Sequence, residues 1–308
     1  MEPPLPPLRT SPGRLPFWLR VLQIVFTTLP TTARVRVYEY LFRQKWRNRA
    51  RGVVRLPFGL ALKMSDVLPL LDNEIAALSF VGQLRGVNVP VLFDSIPAIR
   101  SDRGFMVSTW IDGDLPVDVW EQITAEDTGR IVCDLREQLE ALREQTEHPE
   151  HLICSSRGGP VLDFRVPWID QENPRTFADP REFAAEMWPG LDHDEVPQRV
   201  ALRPVLRPVI DRMDIPISFC HGDLQPKNMI FERGFHQWRA GKSRVALIDW
   251  EHGGWMPIYW NAVKATWLES TVDSEYTMMI RRIFPDSRIR ETLDADWQWR
   301  LRANYPIM

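Results

Sequence analysis

Between two apolar runs the chain reads SFCHGDLQPKNMIF, residues 218–231, with Asp223 and Asn228 in one loop. Further on comes RVALIDWEHGGWMP, where Asp249 directly follows Ala-Leu-Ile. Those residue types suit phosphoryl transfer. That chemistry needs a metal to neutralise phosphates, a group to orient the attacking hydroxyl, and cations on the donor phosphates. A loop aspartate can orient a hydroxyl or take its proton. An asparagine shortly after it can offer a metal an oxygen ligand, and a second aspartate at a strand end can bridge metal and phosphate. Magnesium takes few carboxylates and completes its shell with phosphate oxygens and water. Pro226 would stiffen the loop between Asp223 and Asn228. Taken singly, either residue could equally be an ordinary turn or cap residue.

A second pattern is independent of the first. Lys63 lies in LALKMS, a strand-like run. The segment SDVLPLLDNEIAALSFVGQL then reads as a helix opened by a Ser-Asp cap, with Pro69 tolerated in its first turn. Val67, Leu71, Glu74, Leu78 and Val81 recur at spacings of three and four, so Glu74 falls on the apolar face. A buried carboxylate is costly unless paired. Lys63 is the expected partner; the plainer alternative is an exposed lysine on an edge strand and a glutamate at the margin of the stripe.

The elements that must position these residues follow from the rest of the pattern. MEPPLPPLRTSPGRLP is proline-rich and expected to be extended or disordered. FWLRVLQIVFTTLP is apolar but short, broken by Arg20 and closed by a proline. A spanning helix needs about 20 predominantly apolar residues, so a packed helix is expected and no membrane span. TARVRVYEYLFRQKWRNR reads as another helix, GVVRLP and LALKMS as strands around a Phe-Gly turn, and VNVPVLFDSI and GFMVSTWI as further strands. QITAEDTGRIVCDLREQLEALREQT is helical and charged. A long irregular stretch follows, then a proline-interrupted helix in PQRVALRPVLRPVIDRM, the strands MIFE and RVALID, and a tryptophan-rich tail from Trp255 expected to be helical. The organisation expected is thus a flexible terminus (1–16), a small strand-containing part (17–110) and a larger helical part (111–308).

Of the 308 residues 44% are hydrophobic and 26% charged, as in an ordinary globular protein, and the formal net charge of -3 offers no nucleic-acid footprint. The basic run RQKWRNRAR (43–51) is the exception; it is either a solvated helix end or a membrane-surface or RNA contact. Three scattered cysteines, none in a CxxC pair, imply neither zinc nor disulfides and point to a reducing, cytoplasmic setting.

The loop HGDLQPKN and the segment LIDWEHGGWMP, in that order, resemble the catalytic loop and metal-binding strand of the aminoglycoside phosphotransferase and choline kinase family, and its fungal members in particular. The resemblance runs from about residue 52 to 265 and implies an α+β, two-lobed protein-kinase-like fold, with a small, shortened N-lobe and a larger, mainly helical C-lobe. It implies Asp223 as the catalytic base or hydroxyl-orienting group and Asn228 and Asp249 as magnesium ligands, with His221 a structural support of the loop. Lys63 and Glu74 would hold donor phosphates. FMVSTWIDGD resembles the linker between lobes, where backbone groups of Ser108, Trp110 and Ile111 would meet an adenine edge. The activity implied is a kinase using ATP and Mg2+ on a hydroxyl of a small metabolite, with no nucleic-acid partner. The rival readings are a catalytically inactive, kinase-like binding or scaffold protein, and the same fold reused for another transfer on a natural product. The sequence leaves the acceptor and the oligomeric state open.

Two departures from the family pattern stand out. The phosphate-covering glycine-rich loop is missing before Lys63, where Arg55 is the nearest substitute cation. Asn261 stands where relatives often carry an acidic residue, while Glu251 is retained. In GPVLDFRVPW, the residues Asp163, Arg165 and Trp168 could recognise an acceptor or anchor a packed loop.

Overall fold

The computed structural model describes residues 4–8, 10, 13–45, 52–97, 103–148, 151–166, 173–188, 191 and 197–302. Trp168 and most of the basic run 43–51 lie outside the described residues. The chain divides into two compact units, one of residues 1–122 with 226–251 and one of residues 123–225 with 252–308.

The first unit begins with helices α1 (Phe17–Thr27) and α2 (Thr31–Lys45). Strands β1 (Val53–Leu56) and β2 (Leu60–Ser65), helix α3 (Leu68–Val81) and strands β3 (Leu92–Ile96) and β4 (Gly104–Thr109) follow. The strands form one antiparallel sheet in the order β1-β2-β4-β3. Lys63 stands opposite Val53 and Met106, and Leu62 opposite Val54 and Val107. Because side chains alternate along a strand, the leucines and Phe105 line one face while Ala61, Lys63 and Ser108 line the other. Leu15, Leu19, Tyr38 and Phe42 close over the first face in one core with Val54, Leu62, Phe105 and Val107. Inside it Arg34 and Tyr38 each donate to Asp94 at 2.5 Å. Burial drives the Tyr38 hydroxyl far above its ordinary range, so it keeps the proton it donates. Among the described residues no strand precedes β1, which is the sheet edge, and α2 is the element before it.

Helix α3 corrects one expectation. It starts at Leu68 with Pro69 in its first turn, but Val67 precedes it and no side chain caps it. The Ser65 hydroxyl instead accepts the Val67 N–H at 3.1 Å, a local turn that competes with capping. The strand predicted over 87–96 is also shorter and covers only Leu92–Ile96. A second, three-stranded sheet in this unit joins β5 (Gly113–Asp114) to the strands Met229–Glu232 and Val245–Leu247. Gly113 permits that pairing, since a Cβ there would lie 2.1 Å from the Phe231 carbonyl oxygen.

The second unit is mainly helical. Its helix Ala125–Thr146 opens with a reciprocal capping box between Thr124 and Asp127. Helices Arg203–Ile210, Trp260–Ala265, Glu275–Ile283 and Ser287–Arg302 supply much of the remainder. The tail does not begin as a helix: Gly254–Pro257 is a strand between Cys154–Ser155 and Ile217–Cys220. Its cross-strand partners outweigh local propensity there. Among the described residues no helix is long and apolar enough to cross a membrane.

Candidate functional site

In the first unit, β2 turns Lys63 to the face away from α1 and α2. Its Nζ lies 2.6 Å from Glu74 Oε2, 2.6 Å from Asp249 Oδ1 and 3.0 Å from Glu251 Oε2. Glu74 is buried on α3 together with Leu71 and Leu78, as the helical spacing requires. The Asp249 and Glu251 side chains are 31% and 28% exposed, so the group opens on their side. Asp249 follows the strand Val245–Leu247 with φ 64°, a conformation rare outside glycine. Such strain persists where surrounding structure over-determines it, and it concentrates at functional sites. One residue earlier, the Ile248 N–H donates to the Asn228 carbonyl at 3.0 Å, so the backbones at Asn228 and Asp249 are tied together. The Asn228 side chain is buried. Asn73 Nδ2 donates to the Glu251 carbonyl at 2.9 Å and pins the turn after Asp249.

One ammonium cannot neutralise three carboxylates. Burial pulls the Lys63 ammonium down, but Glu74, Asp249 and Glu251 together outweigh it and hold it well above the ordinary lysine value. Burial pushes the Glu74 carboxyl up, against the pull of Lys63 and with the repulsion of Asp249. Ligand oxygens of Glu74, Asp249 and Glu251 all lie within 4.8 Å of one another. An excess of negative charge on partly exposed hard oxygens fits a divalent cation such as magnesium.

The second unit carries the first part of the other loop, residues 221–225. His221 is fully buried and its Nδ1 accepts the Asp223 N–H at 3.2 Å, which orients the backbone at that aspartate. Gly222, at φ 79°, is required: a Cβ there would sit 2.3 Å from the His252 carbonyl oxygen. Its N–H donates to Asn261 Oδ1 at 3.1 Å, so the amide at this position still supplies the acceptor that an acidic residue would. Tyr276 donates its hydroxyl to the Leu224 carbonyl, fixing the loop from below. Asp223 itself is half-buried.

Of the linker residues, Ser108 lies inside the sheet between Ala61 and Leu92. The Trp110 N–H donates to Gly59 at 2.7 Å. Trp110 and Ile111 border a cavity of about 690 Å3 in the first unit. Arg55 shares the Lys63 face, but its guanidinium pairs with Asp112 at 2.8 Å and lies 5.4 Å over the Trp110 ring. It therefore ties β1 to the linker, and between such exposed groups that pairing is weak.

Asp163 and Arg165 are buried anchors of the irregular stretch. Asp163 Oδ1 accepts from Lys264 Nζ at 2.7 Å and from the Arg165 N–H at 2.8 Å. The Arg165 guanidinium pairs with Asp296 and lies 4.5 Å over the Trp267 ring. Sequence reasoning did not find Lys264 or Asp296, nor the contact of Glu251 with Lys63. For Glu251 a signal existed, because a carboxylate two residues beyond Asp249 follows it round the same turn.

Residues 37–298 match the profile of a phosphotransferase enzyme family, APH. Solved structures with the same fold are aminoglycoside phosphotransferases. The GDP and kanamycin complex of APH(2")-IIia aligns at TM-score 0.50 and 13% identity, over 87% of this chain and 93% of that one. A thermostable mutant of APH(4)-Ia, in a ternary complex with AMP-PNP and hygromycin B, aligns at TM-score 0.51 and 13% identity, over 85% and 87%. The gentamicin complex of APH(2")-IIa aligns at TM-score 0.50 and 13% identity, over 90% and 87%. No curated protein matches the chain in sequence. The expected two-lobed, protein-kinase-like α+β fold is therefore the fold of this chain.

Proposed function

The chain belongs to the phosphotransferase enzyme family, and from that premise we propose that it is a magnesium-dependent kinase moving the γ-phosphate of ATP onto a hydroxyl of a small metabolite. The observation that carries this reading is the Lys63 ammonium held within 3.0 Å of three carboxylates, Glu74, Asp249 and Glu251. Such a cluster has a cation for donor phosphates and an anionic excess for a metal. The GDP and AMP-PNP present in related structures support a nucleotide donor.

Lys63, braced by Glu74, holds the donor phosphates. Asn228 and Asp249 would hold the magnesium, with Glu251 beside them; that ion would supply charge neutralisation on the phosphate oxygens. Asp223, its backbone oriented by His221, aligns the acceptor hydroxyl and takes its proton as the new oxygen–phosphorus bond forms and the bond to the departing diphosphate breaks. Backbone groups of Ser108, Trp110 and Ile111 meet the adenine edge, and a lobe boundary at 110/111 belongs to the same reading.

Calorimetric titration of Mg–ATP tests it. Wild type should bind only with metal present, Asp249→Asn should lose that binding, and Asp223→Asn should bind but not turn over. Full turnover in either variant would sink the role assignment. The missing glycine hairpin favours a second reading, a kinase-like binding protein without turnover. Mass analysis of products separates the two, since only a kinase adds phosphate to an acceptor.

A further inference from the structure

Helix α1 has two apolar stripes, and the sheet uses only one of them. Leu19, Leu22 and Phe26, with Leu15 just ahead of the helix, recur at helical spacing and pack into the core. On the other side Phe17, Trp18, Val21, Ile24 and Val25 recur at the same spacing and are 80%, 51%, 45%, 64% and 61% exposed. Leu29 continues that stripe past the helix end. The apolar arc of α1 is wider than the core covers, and Arg20, Gln23 and Thr27 take the remaining face. Half of that arc is bare, in a contiguous aromatic and aliphatic strip of the kind that marks an interaction surface.

A second observation extends the strip. Phe58, in the turn between β1 and β2, is exposed and stands in edge contact with Trp18, ring centroids 5.9 Å apart. Phe58 adopts φ 65°. A bulky aromatic at positive φ is a costly choice in a turn where glycine or asparagine would serve. The strain presents a ring to solvent beside Trp18, and the edge contact with Trp18 extends the exposed strip.

The charge around the strip identifies what covers it. Arg14 and Arg20 are exposed at and within α1, and Arg36 and Arg43 are exposed on α2, which packs against the same side of the sheet. Residues 1–45 hold seven arginines and lysines against Glu2 and Glu39, in a chain whose net charge is -3; of these Arg34 is spent on buried Asp94 and Arg43 lies 4.0 Å from Glu39. A second copy of the chain fits poorly, because a two-fold contact sets each patch against its own image and would juxtapose these arginines. An anionic surface complements them. With 11 residues α1 is too short to span a bilayer, which takes about 20. Aromatic and aliphatic groups on one side with arginines at the flanks describe a helix lying in the plane of a lipid interface.

We propose that the outer face of α1, with Phe58, docks the protein on anionic membrane surfaces. The apolar strip enters the acyl boundary while Arg14, Arg20, Arg36 and Arg43 meet lipid phosphates. None of these residues belongs to the Lys63 cluster or the Asp223 loop; Arg14 also lines the cavity beside Trp110 and Ile111, so the test substitutes Trp18, Ile24 and Arg20, which do not line it.

Flotation of the full chain with vesicles tests it. Protein should float with phosphatidylcholine vesicles containing about 30% phosphatidylserine and not with phosphatidylcholine alone, and raising salt to about 0.5 M should release most of it. The doubly substituted variant Trp18→Ser/Ile24→Ser should partition at least about tenfold more weakly. Both side chains are exposed, so its thermal midpoint should match wild type. Arg20→Glu should weaken binding while leaving the apolar strip intact. Failure of wild type to float with anionic vesicles overturns the proposal, as does undiminished flotation of Trp18→Ser/Ile24→Ser. A wild-type dimer in sedimentation that this double variant abolishes would assign the face to a second copy and overturn it too.

Discussion

Around Lys63 one ammonium faces three carboxylates, two of them about a third exposed. Around Arg165 three cations, Arg165, Lys264 and Arg300, share Asp163 and Asp296, and every one of those side chains is 8% exposed or less. The second group is closed to solvent, with three cations on two carboxylates. Trp188 Nε1 adds a hydrogen bond to Asp296 at 3.1 Å, and Arg300 also donates to the Thr266 carbonyl at 2.7 Å. Burial depresses the Arg300 guanidinium, against the pull of Asp296 and with the repulsion of Arg165. The first group, one cation against three carboxylates, is open to solvent at Asp249 and Glu251. A charge cluster that serves the fold is packed away from water; one that serves a ligand stays open on the side where the ligand enters.

Breaking the closed network should have the largest effect. Asp296→Ala leaves Arg165 and Arg300 buried without their carboxylate, and urea unfolding should report a loss of about 3–5 kcal/mol. If it costs as little as a surface change, the contrast fails. Next is magnesium. At a concentration about 100 times its dissociation constant it should raise wild-type stability by about 2.7 kcal/mol, read as a higher thermal midpoint, and Asp249→Asn should lose that gain. A smaller effect sharpens the comparison from the open side. Without metal, Glu251→Gln removes one of three mutually repelling carboxylates and should change stability by no more than about 0.5 kcal/mol, against the large loss in Asp296→Ala.

The smallest effect concerns pH in the second unit. A paired hydrogen bond from the Arg288 guanidinium holds the Asp286 carboxyl down at about 2. Its folded value is below its unfolded one, so its contribution is complete above the unfolded value and is lost as pH falls toward 2. Acid titration of stability should therefore be shallower in Asp286→Asn over that window, by a small amount because the pair is partly solvated.

The Lys63–Glu74 contact was legible because helical spacing put a carboxylate on an apolar face and left it one neighbouring cation. Asp249 and Asn228 were legible as motif residues. The closed network was not, since Asp163 and Lys264 are 101 residues apart and nothing local marks them as partners. The spare stripe of α1 was also hidden: an apolar run reads as a packed helix, and the sequence does not say that only one side will find a core. The Ser-Asp cap failed because Ser65 bonds within its own turn. The tail strand failed because its pairing lies in distant segments.

The first unit is assembled from residues 1–122 and 226–251, with the intervening chain belonging to the other unit. During synthesis its sheet and α3 emerge long before the strand that brings Asp249, 186 residues after Lys63. Until then the Lys63–Glu74 pair lacks its other two carboxylates, and Asn88 waits for the segment that later bonds its carbonyl through the Leu247 N–H. Such long-range closure slows folding. A nascent chain stalled before residue 226 would hold an incomplete first unit, a natural point for chaperones to engage it.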